Sequence, residues 1–581
     1  MYLYAILSVV SLGTLCLADL KVLLLHTNDM HARFQQADRY LGLCLDDSSP
    51  DCYGGFARLK TTVEAQKKIA AAAGRYTIFL NAGDNYQGTP YYTFFKWEIV
   101  AKLVDMLGID VMSLGNHEFD DGVESLSQYI ANVSVPNVCS NLNTTLEQRL
   151  QEANLTPSYI LNVGNVKIGV IGYLTPDTKF LAHVRKVKFL DEIPSIRKEA
   201  QRLRAENVKI LIALGHSGYV IDQQIAKEVE EIDLVVGGHS HTFLYTGTPP
   251  DPEDIPIGDY PTVITQASGK KVPVVQAYYG TKYLGYLELD FDDGGNLKSW
   301  NGEPILLSGN LPQDPDVLAA LRPYEKELHD KISRVVGYST VFLSKENSAC
   351  RLEECNLGNM LADSYVDYAT RKYTNSQGWT VASVALQQAG GIRASINHQG
   401  PITVGDLITV APFSATIVVK EISGSLLLLM LEFAVHRYEE TFDGHVNEFL
   451  QVAGLKVVYN MQAAPGSRVV SVQVRCADCG KPEYLPLDQS AIYKVAMPEY
   501  IGNGGDGFRM LANVPDTYVF EDVDYMVLSQ YIEKHSPVYP AVEGRIIIQN
   551  YTDGSSSATT ITVSRFLLLS IIIITIILRS N

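Results

Sequence analysis

Five times between residues 22 and 241, an apolar run empties into a small cluster of Asp, Asn or His. Val22-Leu23-Leu24-Leu25 leads into His26-Thr27-Asn28-Asp29-Met30-His31. The run from Tyr76 to Leu80 leads into Asn81-Ala82-Gly83-Asp84. Val111-Met112-Ser113-Leu114 leads into Gly115-Asn116-His117-Glu118-Phe119-Asp120. The run from Lys209 to Leu214 leads into Gly215-His216, and Leu234-Val235-Val236 leads into Gly237-Gly238-His239-Ser240-His241. Short apolar runs of this kind read as buried strands. Helical patterns separate them, at Arg58 to Ala73, Trp97 to Leu107 and Ile196 to Glu206. Strands alternating with helices define an α/β fold, in which ligands collect at the carboxyl ends of the strands. A glycine ahead of a polar residue lets the backbone turn sharply enough to aim that side chain.

Taken singly, each cluster is explained by a polar turn after a strand. Their recurrence with metal-ligand chemistry argues otherwise. Asp29 and His31 are two residues apart and can face one point in an extended chain. Collected, the candidates are Asp29, His31, Asp84, Asn116, His216, His239 and, as a further candidate, His241. The set is too large for one zinc, which takes about four ligands. It suits two divalent ions with Asp84 shared between them. Such a pair, roughly 3.5–4 Å apart, clamps the attacking and leaving oxygens of a phosphoryl transfer and lowers the pKa of bound water. Imidazole, carboxylate and amide donors together favour Zn, with Mn or Co as alternatives, over Ca or Mg. His117 is expected to stabilise charge on the phosphoryl group, with Asp120 orienting it. The competing role for Asp120 is to cap the following helix. His26 and Asn28 are expected to be structural.

The chain has 581 residues, too many for one core. Its formal charge of -18 argues against a nucleic-acid partner. Residues 1–18 read as a secretory signal ending at Cys16-Leu17-Ala18, although no Lys or Arg precedes the apolar stretch. Near the other end, Gly554-Ser555-Ser556-Ser557-Ala558, a Thr-rich spacer and the apolar run Phe566 to Leu578 form a lipid-anchor signal, with attachment at Ser555. The rival reading is a tail-anchored membrane helix, for which this run is short. Both place the folded part outside the cell. Sequons at Asn132, Asn143, Asn154 and Asn550 agree with export. So do the near pairs Cys44 with Cys52, Cys350 with Cys355 and Cys476 with Cys479, read as disulfides. The last pair also has a zinc or redox spacing, but no second pair completes a zinc site. Cys139 is left as a buried free thiol. The expected organisation is a first α/β domain at 19–312, a helical linker or hinge at 313–337, a second, α+β domain at 338–548, and a stalk with a removed tail signal at 549–581.

The five clusters, together with Cys350-Arg351, Ala389-Gly390-Gly391-Ile392-Arg393, Pro412-Phe413 and Asn503-Gly504-Gly505-Asp506-Gly507-Phe508, resemble the 5'-nucleotidase family over nearly the whole mature chain. That resemblance implies a four-layer α/β/β/α metallophosphatase domain followed by a C-terminal nucleotide-binding domain. It implies hydrolysis of nucleoside 5'-monophosphates such as AMP to nucleoside and phosphate by hydroxide from a dimetal site. It carries the ligand roles onto Asp29, His31, Asp84, Asn116, His216 and His239, and the catalytic pair onto His117 and Asp120. Arg351 and Arg393 match phosphate- and ribose-side contacts, Phe413 and Tyr500 the aromatic pair around the base, and Asp506 a ribose acceptor. Gln388 stands near the base where animal members have Asn, Ala389 replaces Gly, Tyr500 replaces Phe, and His241 replaces Asn or Gln. A homodimer is implied by animal members alone. The enzymatic alternative is an apyrase-like hydrolase of ATP and ADP. The non-enzymatic one is a cell-surface binding protein retaining the fold.

Overall fold

The computed structural model describes residues 19–42, 44, 49–345, 349–373, 378–438 and 446–549. The signal and tail readings, with Asn550 and Ser555, lie outside them. Among the described residues no helix is long and apolar enough to cross a membrane.

The first half is built on two sheets packed face to face. One has the path Leu297–Asn301, Tyr283–Phe291, Leu20–Thr27, Tyr76–Asn81, Val111–Ser113, Asn137–Val138. The other runs Thr262–Thr265, Lys271–Val275, Leu234–Val236, Ile210–His216, Val166–Leu174, Ser158–Val163. The apolar run Val22 to Leu25 shows why both faces are covered. Val22 and Leu24 point into the core between the sheets, with Ile78, Leu80, Ile212 and Leu214. Leu23 and Leu25 point the other way, into a core capped by the helices Phe56–Ala72, Pro90–Val104 and Gly122–Asn132. Helices Glu192–Ala205 and Tyr219–Glu228 cover the outer face of the second sheet. The result is the four-layer α/β/β/α arrangement. Each such aliphatic side chain contributes about 1.5–3 kcal/mol when fully buried.

The helix expected from Trp97 begins earlier, at Pro90. Proline suits a first helical turn because its missing N–H would have no partner there. The helix is broken at Lys96, where φ is 51°. That break hides the first half from a periodicity reading. Lys96 turns its ammonium to Asp121, 3.1 Å away.

The helix Pro315–Ile332 is capped by Asp314, which accepts from the backbone of Asp316 and Val317. Val317, Leu321 and Leu328 are buried in the first half's helical core. The second half holds a five-stranded sheet, ordered Leu450–Ala453, Val384–Gln388, Ile492–Pro498, Thr416–Ser423, Asp516–Val523, and a four-stranded one. The three disulfides pair as read. Cys139 is buried and unbridged, and burial pushes its thiol up to about 12. Asn132 and Asn154 are exposed and Asn143 half-buried.

Candidate metal centre

Strands Leu20–Thr27, Tyr76–Asn81 and Val111–Ser113 run parallel, so their carboxyl ends share one edge. Strands Ile210–His216 and Leu234–Val236 are likewise parallel in the facing sheet. All five polar clusters therefore meet where the two sheets end. Asp29, His31 and His241 bring ligand atoms within 4.8 Å of one another, and so do Asp84, His216 and His239. Asn116 joins the second group, its Oδ1 2.9 Å from His239 Nδ1.

The backbone at this edge is strained. Asp29 and His31 have φ of 49°, Asp84 55°, His239 79° and His241 54°. Left-handed conformations cost a non-glycine residue of order 1 kcal/mol or more each. Hydrogen bonds between the loops hold them there. Asp29 N donates to Gly83 O, His31 N to Asp84 O and Gly280 N to Asp29 O. His239 N donates to Asp29 Oδ2 at 2.9 Å. Asn28 Nδ2 donates to the same carboxylate at 2.7 Å and, at 2.6 Å, to Tyr278 O. Asn28 thus has the structural role expected of it, and so does His26, whose Nε2 lies 2.8 Å from the Tyr260 hydroxyl. Gly115 is required by close approach: a Cβ there would come within 2.1 Å of Asp84 Oδ1.

The donor set fits divalent cations. Asp29 Oδ1 and His216 Nε2 are buried and make no well-aligned hydrogen bond. His216 Nε2 is 2.9 Å from Asp84 Oδ2 and 3.6 Å from Asp29 Oδ1. His31 Nε2 and His241 Nε2 lie only 3.1 Å apart, close to the separation of about 3.3 Å for two imidazole nitrogens on one tetrahedral zinc. Burial opposes charge on His216, yet Asp84 and Asp29 pull its pKa up to about 10. The two carboxylates demand a nearby positive charge, and a bound cation meets that demand without protonating a ligand.

His117 Nδ1 is 2.8 Å from Asp120 Oδ2, and its Nε2 is 4.0 Å from Asp84 Oδ2. The next helix starts at Gly122, after Asp121, and has no side-chain cap. The Asp120 carboxylate is therefore turned toward His117 rather than used as a cap. Burial works against charge on His117, but Asp120 and Asp84 outweigh it and lift the imidazole to about 9.

Residues from the second half close over this edge. Arg393 Nη2 is 2.8 Å from His31 Nε2. The Phe413 ring stacks on His117, with centroids 5.3 Å apart, and Arg393 lies 5.6 Å from the centre of the same Phe413 ring. The Tyr500 hydroxyl donates to Asp506 Oδ1 at 3.0 Å. Burial and Glu448 raise the Asp506 carboxyl to about 6, against the pull of Arg351. Arg351 Nη1 donates to Asn447 at 2.8 Å. Gln388 is buried and its Oε1 accepts from Gln387.

Two protein families match the chain. The calcineurin-like phosphoesterase family covers residues 22–243, and the 5'-nucleotidase C-terminal domain family covers residues 335–513. The mouse 5'-nucleotidase is 41% identical over 528 residues, 90% of each chain. The chain belongs to the 5'-nucleotidase family. It is a metal-dependent phosphoester hydrolase of that family. Protein 5NUC of Lutzomyia longipalpis is 45% identical over 91% of this chain and 93% of its own. The crystal structure of a 5'-nucleotidase precursor from Thermus thermophilus superposes with a TM-score of 0.81 at 34% identity, covering 92% of this chain and all of that one.

Glu118 went unassigned in the sequence, although it sits inside one of the five clusters. It is fully buried, and its carboxylate accepts from the backbone N–H groups of Asp84 (3.0 Å), Asn85 (2.6 Å) and Gly115 (2.6 Å). It ties two ligand loops of this nucleotidase together. Its place between His117 and Phe119, inside a ligand cluster, was the available signal. Glu118→Ala strands those donors in a buried space and is expected to destabilise the fold by about 3–6 kcal/mol. Thermal unfolding should register this loss; an unchanged melting temperature would refute the role.

Proposed function

We propose that this enzyme is an extracellular 5'-nucleotidase that hydrolyses nucleoside 5'-monophosphates such as AMP, carrying two Zn ions and held to the outer membrane face by a lipid anchor. One observation carries the proposal. A ring and a guanidinium from the second half, Phe413 and Arg393, sit directly against His117 and His31 of the metal edge. A group suited to a base and a group suited to an anion thus adjoin a phosphoryl-transfer site.

Asp29, His31 and His241 would hold one ion, and Asp84, Asn116, His216 and His239 would hold the other. When bound, the two cations polarise the phosphoryl group and provide hydroxide near neutral pH. The protein's own residues do the rest. His117, kept charged by Asp120, faces the phosphoryl oxygens and stabilises the charge that grows on them. Arg351 and Arg393 fix the phosphate and ribose side, where a guanidinium suits an anion's oxygens. Phe413 and Tyr500 stack on the base; such contacts are worth about 1–3 kcal/mol and tolerate different bases. Asp506 accepts from a ribose hydroxyl, and Gln388 lies on the base side. The linker at 313–337, which holds the helix Pro315–Ile332, serves as the hinge between the two domains.

Phosphate release from AMP, ADP and ATP tests the reading. We expect AMP to be cleaved fastest, with activity lost on chelation and restored by added Zn. AMP left intact while ADP is cleaved would make the enzyme apyrase-like. Activity on none of the three, with or without Zn, would leave a binding protein.

A further inference from the structure

Gln276 stands just past the end of strand Lys271–Val275, beside Gly237, which stands just past the end of its parallel neighbour Leu234–Val236. It is fully buried. Its Nε2 donates to Asp222 Oδ2 at 2.7 Å and to Gly238 O at 3.2 Å. Its Oε1 accepts from Thr242 N at 3.0 Å and from Ser240 Oγ at 3.2 Å. A carboxamide has two N–H donors and one oxygen with two lone pairs, so nothing is left over. Nor is its orientation free. The Thr242 N–H can only donate and the Gly238 carbonyl can only accept, so oxygen must face the one and nitrogen the other.

Asp222 lies on the helix Tyr219–Glu228 and is itself buried. Its other oxygen accepts from the buried Tyr173 hydroxyl at 2.7 Å. Gly237 makes room for this carboxylate, since a side chain there would collide with Asp222 Oδ2.

What the amide encloses gives it a role. Gly238 and Thr242 bracket His239, Ser240 and His241. His239 belongs to the ligand group of Asp84 and His216, and His241 to that of Asp29 and His31. Both histidines have left-handed backbone, at φ 79° and 54°. Such a conformation persists only where the surroundings hold it. Gln276 grips the chain before His239, between the two histidines and after His241.

We infer that Gln276 is the positioning residue that divides these two histidines between two cation sites, so that both sites depend on one buried amide. The inference rests on the two-ion reading of the edge. A partner that orients a single ligand supports one ion; this amide supports a ligand of each, and its loss releases both imidazoles together.

The test is a cobalt(II) titration of the metal-stripped full chain, followed by the visible absorption of the bound ion. The wild type should fill both sites. Gln276→Leu, close in volume but without the amide, should bind at both about ten- to a hundredfold more weakly. Gln276→Glu sets a carboxylate against Asp222 and should do the same. Adding Asp222→Asn to it again places a donor opposite an acceptor, and both sites should recover. A general loss of packing would not be repaired in that way. Unchanged affinity in Gln276→Leu, weakening at one site alone, or no recovery in the double variant overturns the inference. A wild-type chain that takes up fewer than two cobalt ions would overturn the two-ion reading itself, and the inference with it.

Discussion

Asp84→Ala is expected to lower kcat/KM for AMP by about a thousandfold or more and to empty the site of metal. Its carboxylate reaches both a ligand histidine and the loop that carries His117. Its Oδ2 is 2.9 Å from His216 Nε2, and its Oδ1 accepts the His117 backbone N–H at 2.9 Å. Burial favours the neutral acid, but His216 and His117 hold the carboxyl well below its ordinary range. Removing it withdraws the charge that both clusters share and frees the loop carrying His117. Asp29→Ala should likewise lose metal and activity together. Elemental analysis beside phosphate release decides the matter; an Asp84→Ala protein that keeps two ions per chain would refute the bridging role.

The second large effect separates chemistry from binding. His117→Ala should lower kcat by about 10²–10⁴-fold with the metal content intact. Its ring contacts Asp120, Phe413 and, edge-on, His31, and its Nε2 lies 4.0 Å from Asp84 Oδ2, beyond the reach of a shared ligand bond. If the same variant also came out free of metal, the division between ligands and catalytic pair would be wrong. Asp120→Asn supplies the companion result. The Asp120 charge is a main reason that the imidazole is lifted to about 9. Without it His117 loses its proton at lower pH, so the alkaline limb of the rate profile should move to lower pH.

Strand ends made the metal edge legible. Because the strands are buried on both faces, they read as unbroken apolar runs, and every interruption by Asp, Asn or His stood out. Period-two alternation is the reason that Val22 and Leu23 serve different cores. The second half gave no such purchase. Arg351, Gln388, Arg393, Phe413, Tyr500 and Asp506 come from separate elements with no shared periodicity, and only a resemblance to known proteins singled them out. Glu118 is less legible for another reason. What matters about it is which atoms surround it, and a Glu in a sequence is ordinarily a solvated surface charge. The left-handed backbone of the ligands was equally invisible, since loops are pinned into that conformation by partners far away in the chain, such as Gly280 for Asp29.

That backbone has a consequence for how such a site changes over generations. Position 241, where the family resemblance expects Asn or Gln, sits at φ 54°. Asn enters this region several-fold more readily than most residues. Codons for His and Asn differ by a single base. One nucleotide change therefore exchanges an imidazole for an amide at this corner while the chain keeps its path. Asp29 and His31, at φ 49°, are bound into a network that any replacement would disturb. A lineage facing a different supply of trace metals thus has one inexpensive position to vary, and the rest of the cage stays as it is.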